Sequence, residues 1–318
     1  MGLYPGIAVA SGVIDAYAGW TGTVGAKVDL NSETSGIVNR LALVAGTSTC
    51  HLALSHDPVF VPGVWGPYRD VILPQAFLAE GGQSATGELI RHVIESHPAY
   101  PAAKKAAHNT SQSIYTFLND HLHAQVQTTQ APHIPHLARH LFFYGDLWGN
   151  RSPIADPRMT GAIIGLTSDT SITNLALHYY SALEFIALQT RQIVQTMNDH
   201  GHRVTSIFMS GSQTQNDILV HLIASSCALP VVIPQYAHAA VCHGTAMLGA
   251  KAASAGQGES PKDLLRIMGE MSKPGRRIDP SGDEGEKRFL GVKYEVFLDM
   301  CGRQREYRRL VDERVGVV

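Results

Sequence analysis

The stretch from residue 174 to 253 constrains this chain more than any other. NLALHYYSALEFIALQTRQIVQTMNDHG keeps apolar residues at helical spacing and stops at Gly201, a residue suited to closing a helix. VTSIFMSG then reads as a strand, SQTQNDILVHLIASSC as a helix, LPVVIP as a strand and HAAVCHGTAMLGAKAA as a small-residue helix. Strands alternating with helices indicate an α/β layer.

Upstream, IAVA (residues 7–10) reads as a buried strand entering a Gly-rich turn, and a helix of small residues follows from Asp15 to Lys27. Residues 37–61 alternate as two or three strands of a meander. GGQSATGELIRHVIESH predicts a helix with Ser84 as its cap and Leu89, Ile90, Val93 and Ile94 as its apolar stripe. One helix is expected over 101–123, a Pro- and His-rich connector over 130–137, and an irregular loop from LFFYG to GLT at 141–167. Residues 256–286 read as exposed polar chain, and KRFLGVKYEVFLDMCGRQREYRRLVDE as a closing charged helix. There is no internal repeat.

At 318 residues the chain has room for a substantial core in one or two domains. A formal net charge of −2 leaves neither a nucleic-acid footprint nor a polybasic membrane patch. No apolar run reaches the ~18 residues of a membrane-spanning helix. The start lacks the basic region of a signal peptide. Four cysteines (Cys50, Cys227, Cys242 and Cys301), far apart and without CxxC spacing, suit a reducing cytoplasm better than a disulfide frame or a zinc site. Of sixteen histidines, His121, His123, His133, His136 and His140 fall close together. Pro132 and Pro135 interrupt the helix they would share and no carboxylate completes a ligand set, so no metal site is assigned to them.

Residues 41–55, LALVAGTSTCHLALS, interrupt two apolar runs with small hydroxyl residues. Glycine and serine populate hairpin turns for conformational reasons. The same residues also build an anion cradle. Gly46 admits close approach to the backbone, and Thr47, Ser48 and Thr49 carry donors for phosphate oxygens. The string alone leaves both readings open. Asp15, at the start of a predicted helix, reads by itself as a cap.

Taken in order, GVIDAYAG, AGTSTCHLALS, GGQSATGELI, GNRSPIADPRMTGAIIGLT, YYSALEFIAL and MSGSQTQNDILVHLIASSCALPVVIP with its AMLGA helix resemble the carboxyl-terminal half of the FGGY carbohydrate kinases, nearest to the ribulokinase-like branch. The resemblance implies a ribonuclease-H-like, actin-type ATPase fold. It implies ATP with Mg2+ as the phosphoryl source and a pentulose such as ribulose as acceptor. Asp15 matches the family's catalytic carboxylate. Gly46 and Thr47, with Ser48 and Thr49, match the second phosphate motif. Gly87 matches a close approach to the nucleotide, where Gln83 and Ser84 are either polar contacts or parts of an ordinary capped helix. Gly211 and Ser212 match the paired glycines of the adenosine site, and Asn216 its adenine-contacting asparagine. Four positions depart from the pattern: Ser212 for the second glycine, His221 for a glutamine, and Ser225-Ser226 for Ala-Asp. The resemblance further implies that residues 1–27 are the last strand and exit helix of an amino-terminal sugar-binding domain, with 28–318 the nucleotide-binding domain. The competing expectations are a catalytically silent fragment that binds only nucleotide or a partner, and an actin- or chaperone-like ATPase.

Overall fold

The computed structural model describes residues 4–28, 36–255 and 263–316. In chain order the elements are α1 (Asp15–Val24), β1 (Arg40–Ala45), β2 (Thr49–Ser55), β3 (Trp65–Arg69), β4 (Phe77–Gln83), α2 (Gly87–Glu95), α3 (Tyr100–Asn109), α4 (Ile114–Thr129), α5 (Ile134–Leu137), β5 (Phe142–Tyr144), β6 (Ala162–Ile164), α6 (Ile172–Asp199), β7 (Ser206–Ser210), α7 (Asp217–Cys227), β8 (Val231–Ile233), α8 (Ala240–Ala255), α9 (Leu264–Met271), β9 (Arg276–Ile278) and α10 (Glu284–Val315). They fall into two compact units. One gathers Met1–Gly82, Ile193–Gln215 and Leu229–Asp279; the other gathers Gln83–Gln192, Asn216–Ala228 and Pro280–Val318.

The first unit is built on a seven-stranded sheet in the order β3-β4-β2-β1-β7-β8-β9. β1 pairs with β7 in parallel and β7 with β8 in parallel, the arrangement that the strand–helix alternation demands. β7 is buried throughout and β8 likewise, which is why SIFMS and VVI carry apolar residues without alternation. β1 and β2 form an antiparallel hairpin with Val44 opposite Cys50 and Ala45 opposite Thr49. Ala42, Leu52, Leu54, Leu78, Phe208 and Val232 share one face with Trp20 and Val24 of α1 and with Leu264, Ile267 and Met268 of α9.

α1 and α8 approach backbone to backbone. A Cβ on Gly22 would stand 2.0 Å from the Ala240 carbonyl oxygen, and one on Gly244 would stand 1.8 Å from that of Ala18. The run of alanine and glycine in both helices is therefore a packing requirement. α1 also lies across the strands: Tyr17 neighbours Cys50 and Glu80, Gly19 faces Val44, and Thr23 hydrogen-bonds Ser210 at 2.8 Å. Cys50, Val44 and Ser210 form one row of the sheet, just before the β1–β2 turn.

In the second unit, Tyr144 packs with Phe185 and Phe297, and Leu89, Leu118, Leu122, Tyr179 and Tyr180 are fully buried. The Lys293 ammonium is buried but satisfied by the Ala138 and Leu141 carbonyls at 2.9 and 2.8 Å and by Glu184 at 3.2 Å.

Several expectations are corrected. Residues 7–10 are not a strand; Ile7 and Val9 are 56% and 86% exposed, and no described strand pairs with them. The single helix expected over 101–123 is two helices. Thr110 turns its hydroxyl back on the Ala107 carbonyl, and Ser113 starts α4 by accepting from the Thr116 amide. Ser84 does not cap α2, whose N-cap is Thr86; the Ser84 hydroxyl donates instead to the Gly149 carbonyl. The expected loop at 141–167 contains the paired strands β5 and β6. The polar stretch 256–286 contains α9, whose Leu264, Ile267 and Met268 are buried at helical spacing, and β9; its residues 256–262 lie outside the described residues.

Candidate functional site

In open α/β sheets, ligands collect at the carboxyl ends of parallel strands, where helix starts and turns leave backbone donors available. In the first unit that edge is formed by the ends of β1 and β7. The turn after β1 is Gly46–Ser48, closed by the Gly46 amide donating to the Ser48 carbonyl at 2.9 Å. Gln213 ties this turn to the segment after β7, its Nε2 donating to the Gly46 carbonyl at 2.6 Å. Thr47 is exposed at the turn and Ser48 half-buried, whereas Thr49 is buried as the first residue of β2. The string is thus a hairpin turn, with Thr47 and Ser48 its most accessible hydroxyls.

Gly46 and Gly211 are glycines for different reasons. Gly211 has φ of +95°, and an added Cβ would lie 2.0 Å from the Ala45 carbonyl oxygen. At Gly46 an added Cβ would meet only the Ser48 oxygen, at 4.0 Å. The fold excludes a side chain at Gly211 but leaves Gly46 open. Gly211 donates its amide to Ala237 and accepts from the Thr214 hydroxyl at 2.7 Å. Ser212 is exposed and opens the short 3-10 turn Ser212–Gln215.

Asp15 is the first residue of α1 and exposed. One carboxylate oxygen accepts from the Ala16 amide at 2.7 Å, and the N-cap position belongs to Ile14. A negative charge in the first turn is favourable to the helix dipole. Because α1 crosses the row Cys50–Val44–Ser210, Asp15 opens a helix seated beside the strand ends that carry the Gly46 turn and Gly211. Glu80 was not singled out from the sequence. It is buried at 6% exposure in β4, and Tyr17 donates to it; burial and then the Glu80 charge push the Tyr17 phenol up to about 12. The available signal was an acid inside the apolar run FLAEGG.

The second unit holds Gln83, Gly87 and Asn216. Gln83 is buried, and its Nε2 donates to the Ile186 carbonyl at 2.9 Å, a tie between the end of β4 and α6. Gly87 is half-buried as the first residue of α2. Asn216 is the N-cap of α7: its Oδ1 accepts from the Leu219 amide at 3.3 Å. Its Nδ2 donates to the Tyr179 hydroxyl at 2.6 Å, Tyr179 donates to Asn119 Oδ1 at 2.9 Å, and Asn119 Nδ2 donates to Asn216 Oδ1 at 3.2 Å. Neither Asn119 nor Tyr179 was anticipated, since nothing in their local sequence marks them. Two departures from the family pattern are spent on packing. His221 pairs with Glu286 at 2.9 Å, which holds that carboxylate below its ordinary range, and Ser225 accepts from the Ser281 amide at 3.0 Å. Among the described residues no group of three or more His, Cys, Asp or Glu side chains is placed to hold a metal ion.

This architecture is the ribonuclease-H-like fold of the actin and sugar-kinase ATPases: the structure is similar to that of xylulose kinase from Rhodospirillum rubrum, with a TM-score of 0.70 at 20% identity over 96% of this chain and 53% of that one. Residues 41–253 match the C-terminal domain of the FGGY family of carbohydrate kinases, and the chain belongs to that family. A D-ribulokinase of Saccharomyces cerevisiae is 49% identical over 263 residues, which are 79% of this chain and 37% of that protein. An FGGY carbohydrate kinase domain-containing protein of Xenopus laevis is 40% identical over 314 residues, 98% of this chain and 55% of that protein. The chain spans about half the length, or less, of these curated relatives.

Proposed function

We propose that this chain carries the nucleotide-handling part of an ATP-dependent pentulose kinase acting on a ketose such as ribulose. The observation that carries the reading is the turn of Gly46, Thr47 and Ser48 beside Gly211 at the carboxyl ends of β1 and β7, with Asp15 exposed at the start of the helix crossing that edge. A glycine that the fold does not require, next to exposed hydroxyls, suits phosphate approach. The ribulose assignment draws on the likeness to the D-ribulokinase of Saccharomyces cerevisiae.

In this reading the Gly46 backbone and the Thr47 and Ser48 hydroxyls hold the β- and γ-phosphates, with Thr49 supporting the turn from within β2. By the family resemblance, Gly211 and Ser212 of the first unit are assigned to the adenosine, and, separately, Asn216 and Gly87 of the second unit to the base and to nucleotide backbone access; Gln83 acts by holding the end of β4 to α6. Asp15 takes the proton from the attacking sugar hydroxyl as its oxygen bonds the γ-phosphorus and the bond to the departing ADP oxygen breaks. Mg2+ keeps most of its waters and needs only one or two carboxylates beside the phosphates, so Asp15 with the Thr47 and Ser48 hydroxyls has the donor chemistry it would use. When bound, the ion neutralises charge on the phosphate oxygens. Residues 1–27 are proposed to join the sugar-binding domain to this one. The four separated cysteines favour a reducing, cytoplasmic setting.

The test is Asp15→Asn in a protein that also carries the amino-terminal sugar-binding domain. The amide keeps an oxygen for the Ala16 amide but cannot take a proton at neutral pH. Pentulose-dependent ADP release should fall by about 100-fold or more, with ATP affinity within about twofold of the parent. Near-normal turnover would leave Asp15 as a helix-end charge and end the catalytic assignment.

A further inference from the structure

Three side chains, Asn216 among them, form a closed ring of hydrogen bonds drawn from three helices: Asn119 on α4, Tyr179 on α6 and Asn216 at the cap of α7. The ring runs in one direction. Asn216 Nδ2 donates to Tyr179, Tyr179 donates to Asn119 Oδ1, and Asn119 Nδ2 donates back to Asn216 Oδ1. Its sense is set from outside, because the Leu219 amide can only donate and therefore faces the Asn216 oxygen. Tyr179 is fully buried, which keeps its phenol protonated and able to serve as both acceptor and donor.

The inventory of the Asn216 carboxamide follows. The oxygen has two lone pairs, one taken by Leu219 and one by Asn119. The nitrogen has two hydrogens, and the ring uses one. Asn216 is only half-buried, so what remains for a ligand is a single N–H. An asparagine free to turn would offer a base both a donor and an acceptor. This one offers a donor.

Resting on the kinase reading above, we propose that Asn119 and Tyr179 are positioning residues that present Asn216 to a purine base as a donor only, so that this residue recognises a ring acceptor and does not read the adenine amino group. Adenine and guanine both carry N7 as an acceptor, and guanine adds O6, whereas only adenine carries the N6 donor. Asn216 therefore meets ATP and GTP alike. Selectivity for ATP would require a free oxygen lone pair, and Asn119 occupies it.

The experiment measures binding of ATP, GTP and inorganic tripolyphosphate, each with Mg2+, by calorimetry on the full chain. The parent should bind ATP and GTP within about threefold of each other. Tyr179→Phe removes the hydroxyl that holds Nδ2, and both nucleotides should weaken about three- to tenfold, the loss of one ordinary hydrogen bond, while tripolyphosphate binding is unchanged. Asn119→Ala frees a lone pair on Asn216, and the ratio of ATP to GTP affinity should rise above the parent's. A merely structural role would not move that ratio. An ATP preference above about tenfold in the parent, nucleotide affinities unmoved by Tyr179→Phe, or an unchanged ratio in Asn119→Ala each overturns the proposal. Equal weakening of tripolyphosphate does so as well, because it marks general loss of structure. A parent that binds neither nucleotide nor tripolyphosphate overturns the kinase reading itself, a result separable from the others by the tripolyphosphate arm.

Discussion

A methyl group at Gly211 would enter the Ala45 carbonyl on a backbone with φ of +95°, so Gly211→Ala should cost roughly 2–4 kcal/mol in denaturant titration. Gly46→Val should behave oppositely. Its surroundings have room, so stability should stay within about 0.5 kcal/mol of the parent while nucleotide affinity falls at least tenfold in the same calorimetric assay. Equal stability losses at the two positions would refute this division of labour. At Asn216 the two roles overlap. Asn216→Ala removes the cap and, in the proposed reading, the base contact with it, and should lose about 1 kcal/mol of stability and about 1–2 kcal/mol of ATP binding. Asn216 was identified from its place in a motif, yet its partners come from helices about 40 to 100 positions away, and a chain read in order does not reveal such meetings.

Among elements, legibility followed the apolar runs and the turn residues between them. β7 and β8 were expected as short apolar runs, which are buried throughout, and α7 and α8 as the longer segments following each; α7 starts at Asp217 rather than Ser212 because Ser212–Gln215 form a 3-10 turn. α9 was missed because its three buried residues, Leu264, Ile267 and Met268, sit in a short helix beside polar chain. Residues 7–10 misled for the reverse reason: apolar composition mimics a strand, but a strand exists only where a neighbour pairs with it. The contact of α1 with α8 makes an element-scale prediction. Gly244→Ala should destabilise by about 1–3 kcal/mol, because the helices must separate to clear the Ala18 carbonyl, even though alanine favours the helix by about 1 kcal/mol. A variant as stable as the parent would mean that the close approach does not exist in solution.

For the whole molecule, acid should be the sharper stress. Burial holds His121, His133, His178 and His202 below the ordinary histidine range. A base whose folded value lies below its unfolded value near 6.5 takes up protons first in the unfolded chain. Stability is therefore fully present above about pH 6.5 and declines as pH falls through that value toward the folded ones. Asp146 and Glu184, raised by burial, act in the opposite sense. Urea midpoints should drop between pH 7.5 and pH 5, and His202→Phe should reduce the slope. A midpoint flat over that interval would show that these histidines titrate as freely in the fold as outside it.

The crosswise seat of α1 turns that helix into a lever. Gly22 and Gly244 are its fulcrum, and Asp15 stands seven residues away, an arm of about 10 Å at 1.5 Å per residue. A tilt of about 5° at the fulcrum swings the carboxylate by about 1 Å, the displacement at which a positioned group loses about two orders of magnitude in effect. A helix laid along one strand would share such a shift among many contacts. This one has only Gly19 on Val44 and Tyr17 on Glu80 named between fulcrum and tip, so those contacts and the smallest residues in the unit, two turns from the charge, together set how far the carboxylate can wander.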